Sequence, residues 1–85
     1  MHDLHLADKI IKQILEFARE HKLSKVKKVW IEIGDILEHG EMISPENLKF
    51  NLKLLSNATP AQGAEFEVKK INEENKYIIQ EIEGE

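Results

Sequence analysis

The sequence predicts an α+β fold of two layers, a small three-stranded mixed sheet packed with two helices in the order α-β-α-β-β. Three observations carry that expectation. Apolar residues recur at helical spacing over 4–21, they alternate at strand spacing over 26–36, and Ser44-Pro45 opens a second helix. The chain has 85 residues, room for one small domain spanning 1–85.

The first helix rests on Leu6, Ala7, Ile10, Ile11, Ile14, Leu15 and Ala18, with Lys9, Lys12, Gln13, Glu16 and Glu20 between them. This is the apolar stripe of a helix laid on a core. Asp3 suits the N-cap, because its carboxylate can accept from first-turn amides. His21 and Lys22 suit the negative pole at the other end.

The strand expected over 26–36 alternates Val29, Ile31 and Ile33 with Lys28, Trp30 and Glu32. Trp30 then lies on the face opposite the isoleucines, so that face is expected to be partly covered. Gly34-Asp35 ends or bulges the strand. A loop is expected from about Ile36 to Ile43.

In the second helix Ser44 is the N-cap and Pro45 the first helical residue, where a missing N–H costs nothing. Leu48, Leu52 and Leu55 form its stripe, and Phe50 and Leu54 widen it. The helix is expected to stop before Asn57, with Thr59-Pro60 and Gly63 in the connection. Strands are expected over 64–71 and 76–82, where Phe66 and Val68, then Tyr77 and Ile79, alternate with their neighbours. A short hairpin loop near 72–75 would join them, with Asn accepting left-handed backbone. The strand–helix–strand run is long enough for a right-handed crossover.

Composition excludes several classes of function. The formal charge is -4, against the basic footprint of a nucleic-acid binder; Lys25, Lys27 and Lys28 are expected to be solvated surface at a strand start. There is no cysteine, hence no disulfide and no thiolate metal site. No apolar run reaches signal-peptide or membrane-span length, so no membrane association and a cytoplasmic location are expected. Ser24, Ser44 and Ser56 have no neighbouring His, and no glycine-rich phosphate loop occurs; no enzyme is expected. So small a core is marginal, and a homodimer is one way to stabilise it.

The chemistry-bearing feature is Met1-His2-Asp3. A free α-amine, two backbone amides and an imidazole offer four nitrogens to one ion, a set suited to Cu(II) or Ni(II) over zinc. His2 is a bulky second residue, which disfavours removal of Met1. The α-amine titrates at about 7.7–8.0, and ligation by amides releases further protons, so affinity should rise with pH. The bland alternative is a frayed chain end. For Asp3 that alternative is a helix cap alone.

Taken together, the motifs resemble the nickel-binding domain of the HypA/HybF family of hydrogenase-maturation proteins. The resemblance is carried by Met1-His2-Asp3-Leu4, Leu6-Ala7, the strand Val29-Trp30-Ile31-Glu32-Ile33-Gly34-Asp35, the helix start Ser44-Pro45-Glu46-Asn47-Leu48-Lys49-Phe50 and the run from Thr59 to Phe66. It implies a nickel metallochaperone for NiFe hydrogenase, with urease a further recipient. It implies Ni(II) held by Met1, His2 and Asp3, with His2 the principal side-chain ligand. It also implies a maturation GTPase and the hydrogenase large subunit, or urease accessory proteins, as partners.

The chain departs from the family at several places. The family's zinc domain, two CxxC pairs between the last two strands, is replaced by the short link at 72–75, so no zinc site is expected. Met-His-Glu has become Met-His-Asp, and His5 stands where the family has Ser. The loop holding Glu38, His39, Glu41 and Met42 is longer. His5, one turn beyond His2, and Asp35, at the acidic position after the strand, are weaker nickel candidates. Glu38, His39 and Glu41 form a secondary metal site or, more simply, a charged loop. The competing function is a metal-independent protein–protein adaptor derived from the same family.

Overall fold

The computed structural model describes residues 4–38 and 40–85. The chain runs α1 (Leu4–Glu20), β1 (Val26–Asp35), β2 (Leu37–Glu38), β3 (Glu41–Met42), α2 (Pro45–Leu55), β4 (Glu65–Glu74) and β5 (Tyr77–Gly84). The main sheet has three strands in the order β4-β1-β5, with β1 parallel to β4 and antiparallel to β5. The expected α+β architecture and mixed sheet are therefore found.

One cluster forms the core. From α1 it takes Leu6, Ala7, Ile10, Ile11, Ile14 and Ala18; from β1, Val26, Val29, Ile31 and Ile33. Leu48 and Leu52 of α2 join them, with Phe66 of β4 and with Ala61 and Ala64 just before it. Phe66 is the largest of the fully buried side chains. The helical stripe and positions 29, 31 and 33 of β1 thus meet as the periodicity requires, and Val26 joins them across a register shift between Val26 and Lys28. Among the described residues no helix is long and apolar enough to cross a membrane.

Local chemistry sets the helix ends. At α2 the Ser44 hydroxyl accepts from the Asn47 amide at 3.1 Å, with Pro45 in the first turn. At α1 the Leu23 amide donates to the Ala18 carbonyl at 2.8 Å and Lys22 sits at φ 56. That is a left-handed helix stop, built here on lysine where glycine is usual.

Phe50 and Leu54, expected to widen the stripe of α2, are instead exposed, at 65% and 50%, because the buried face of that helix runs through Leu48, Asn51 and Leu52. The structure corrects the sequence reading at three further places. The link near 72–75 is no hairpin loop, because β4 and β5 do not pair: they flank β1. The chain leaves β4 on one side, crosses the end of β1 and returns as β5 on the other. Asn75 donates to the Asp35 carbonyl at 2.8 Å, and Gly34 donates to the Lys76 carbonyl at 2.7 Å. Asn75 takes a left-handed φ of 51 there, as a tight link demands. A short link between two strands looks the same in sequence whether they pair or straddle a third; here the parallel place beside β1 is filled through α2.

Second, the expected loop over 36–43 contains the ribbon β2–β3, with Leu37 opposite Met42 and Glu38 opposite Glu41. Gly40, at φ 84, lies in its tip. Third, a register shift in β5 leaves Gln80 as an extra residue: Ile79 faces Ile31, while Glu81 faces Trp30 and Ile82 faces Val29. Ile82 therefore joins Tyr77 and Ile79 against the core instead of pointing away from them. A single inserted residue reverses the alternation, which a period-two reading cannot foresee.

The face opposite the core carries Lys28, Trp30, Glu32, Glu65, Glu67 and Lys69. Trp30 is half-buried there, with the Lys28 ammonium 4.8 Å from its ring centroid. The expected partial cover comes from that lysine and from the neighbouring strands.

Candidate metal centre

Met1, His2 and Asp3, the expected nickel ligands, lie outside the described residues, as does the expected cap by Asp3. His39 of the secondary candidate site lies outside them too. What the structure supplies is the frame to which the tripeptide is attached.

That frame is the start of α1. The helix begins at Leu4, with no acidic residue in its first turn. Its first amides have no intrahelical partner, and its dipole puts partial positive charge at this end. A carboxylate or anionic ligand set is therefore favoured just upstream of Leu4.

The direction of α1 places this end in the molecule. A short turn leads from α1 into β1, so the helix runs back along the sheet. Tyr77, paired with Ile33 near the end of β1, reaches Gln13 with its hydroxyl, 3.3 Å from Oε1. Nine residues separate Gln13 from Leu4, about 13 Å of helix at 1.5 Å per residue. The first turn of α1 therefore lies at the same end of the molecule as the C-terminus of β1. The crossover over 73–76 and the ribbon β2–β3 are at that end as well.

Asp35 is brought to that end, and its carboxylate is engaged. Lys70 Nζ stands 2.9 Å from its Oδ1, both side chains partly exposed. Lys70 is a neighbour that periodicity alone does not reveal. It comes from β4, whose residue 70 stands opposite Ile33 in the parallel register. His5 is exposed on the first turn of α1, directly after the terminal segment. His21 is the helix-end residue that its position suggested: its Nδ1 lies 3.0 Å from the Phe17 carbonyl oxygen, and its ring stacks on Phe17 with centroids 4.0 Å apart.

Among the described residues no group of three or more His, Cys, Asp or Glu side chains is arranged to hold a metal. Sequence reasoning missed the Tyr77–Gln13 contact and the exposed Leu37–Met42 pair, since both depend on residues brought together by the fold.

Comparison with known proteins adds an independent line. Residues 1–76 match the family model described as hydrogenase/urease nickel incorporation, metallochaperone, hypA. Among curated proteins, the chain is 34% identical over 68 residues to a protein of Methanopyrus kandleri, covering 80% of this chain and 45% of that one. It is 35% identical over 68 residues to one of Archaeoglobus fulgidus, covering 80% and 58%. It is 38% identical over 68 residues to one of Bradyrhizobium sp. strain ORS 278, covering 80% and 57%. All three carry the name hydrogenase maturation factor HypA. The chain spans about half the length of the curated relatives it matches.

Proposed function

This chain belongs to the HypA family, and we propose that it binds Ni(II) at its free N-terminus and delivers the ion during maturation of NiFe hydrogenase. The supporting observation is that the terminal tripeptide leads straight into α1 at Leu4. Urease is a second recipient under the same reading. The recipients are reached through a maturation GTPase and the hydrogenase large subunit or urease accessory proteins. The ion is cargo; no covalent reaction is involved.

The donor set fits the frame electrostatically. A divalent ion held by neutral ligands would sit badly beside the positive end of α1. Two deprotonated amides, those of His2 and Asp3, cancel the charge of the ion. The α-amine of Met1 and the imidazole of His2 complete a planar set of four nitrogens, a geometry that suits Ni(II). The Asp3 carboxylate is then left to cap the first turn. His5, exposed on that turn, is a candidate for further coordination. Under this reading residues 1–85 form a single nickel domain, acting in the cytoplasm, and the crossover over 73–76 stands where the family places its zinc domain.

The test is a nickel titration of untagged protein with a verified Met1, followed by absorption spectroscopy and calorimetry beside His2→Ala. One-to-one binding with square-planar absorption bands, lost in the variant, is expected. Binding that is absent, or unchanged in the variant, overturns the reading in favour of a metal-independent adaptor.

A further inference from the structure

At the same end of the molecule as the start of α1, the ribbon β2–β3 presents two apolar side chains to solvent. Leu37 is 62% exposed and Met42 51%. They are direct cross-strand partners, so they form one apolar patch. They line a shallow hollow with Asp35, Glu74 and Asn75. Methionine, flexible and polarizable, adapts to varied contact surfaces.

The rim of this patch is acidic. The two local lysines are already committed, Lys70 to Asp35 at 2.9 Å and Lys76 to Glu73 at 3.9 Å. Among the described residues neither Glu41 nor Glu74 has an ion-pair partner. The register also sets two glutamates, at 38 and 41, opposite each other across the ribbon.

We propose that this ribbon end is a docking surface for a partner protein that presents an apolar side chain among Lys and Arg residues. An apolar centre with a charged rim is the usual anatomy of a specific interface, and opposite charge on the partner speeds encounter. A second copy of this chain is a poor occupant, because it would set acidic rim against acidic rim on molecules of charge -4. An anionic membrane is repelled for the same reason. The place of the surface, at the end where α1 begins, suits a partner that takes up an ion from the terminal segment. The choice of partner therefore rests on the nickel-delivery reading, whereas the surface does not.

The probe is the maturation GTPase, titrated against the full chain by calorimetry at two salt concentrations. The variants are Leu37→Ser with Met42→Ser, and Glu41→Lys. Phe50→Ser is the control, because Phe50 is equally exposed but lies on α2. At least a tenfold weakening is expected in both ribbon variants, with wild-type affinity in the control and weaker binding of the wild type at higher salt. Nickel stoichiometry and melting temperature should not move in any of the three. Ribbon variants that bind like the wild type overturn the proposal, as does loss of binding in Phe50→Ser or a wild type that does not bind. Sedimentation showing a dimer that the ribbon variants dissolve overturns it in favour of a second copy. Loss of nickel binding in His2→Ala with GTPase affinity retained, or the reverse, separates the two readings.

Discussion

The backbone of Glu73 crosses Gly34 so closely that no side chain fits between them. A Cβ on Gly34 would collide with the Glu73 carbonyl and press on that of Lys76. Gly34 is therefore the point over which the chain passes from β4 to β5, and its own N–H holds the crossing strand at the Lys76 carbonyl, 2.7 Å away. The glycine is required for close approach of two main chains, with no positive φ involved.

Gly34→Ala should cost about 1–3 kcal/mol or more, the range for forcing volume into a packed site. At roughly 4–8 °C per kcal/mol for a domain of this size, the melting temperature should fall visibly in calorimetry. A melting temperature unchanged within error would mean that the crossing does not pass over residue 34.

Lys22→Gly should act in the opposite direction. Lys22 closes α1 at φ 56, a left-handed conformation that costs a lysine more than a glycine. A gain of roughly 0.5–1 kcal/mol is expected in denaturant unfolding, after allowing for glycine's larger unfolded-state entropy. A loss in the variant would show that the lysine side chain contributes something the cap geometry does not.

Ser44→Ala should cost about 1 kcal/mol, the usual penalty for removing an N-cap oxygen. The hydroxyl accepts from the Asn47 amide, which then has no intrahelical alternative. Hydrogen exchange at the first turn of α2 is the direct readout, and Ser44→Asp, which keeps an acceptor, should restore protection.

Asp35→Asn should leave nickel affinity unchanged. The carboxylate is taken by Lys70 at 2.9 Å, and exposed pairs of this kind contribute about 0–1 kcal/mol to stability. A several-fold loss of nickel affinity would instead make Asp35 a ligand that exchanges Lys70 for the metal.

A Gly-Ser extension placed before Met1 should abolish nickel binding while leaving the fold intact. It converts the terminal amine into an amide and shifts the register of the donors, yet α1 begins only at Leu4. Persistent one-to-one binding in the extended protein would place the ion elsewhere.

Much of the architecture could be read from residue order alone because its causes are local. The stripe of α1 and the alternation in β1 each follow from a period that repeats within one element. Ser44-Pro45 marks the start of α2 by the bonding needs of four consecutive residues. The proposed nickel donors are likewise adjacent along the chain, and they lie outside the described residues. The Asp35–Lys70 pair and the exposed Leu37–Met42 patch belong to the other class, announced by no local pattern.

Residue order by itself determined the two helices and the three strands of the main sheet, which faces of α1 and β1 are apolar, and where four nitrogens lie within one short stretch. Only the tertiary structure decided that β4 and β5 straddle β1, that Gln80 bulges and returns Ile82 to the core, and that the ribbon stands at the end where α1 begins. The reason is the range of the forces involved. Periodicity and capping are satisfied by neighbours within about a turn of backbone. Sheet order is settled by competition among distant strands for the two edges of β1, and a one-residue shift there changes every partner that follows.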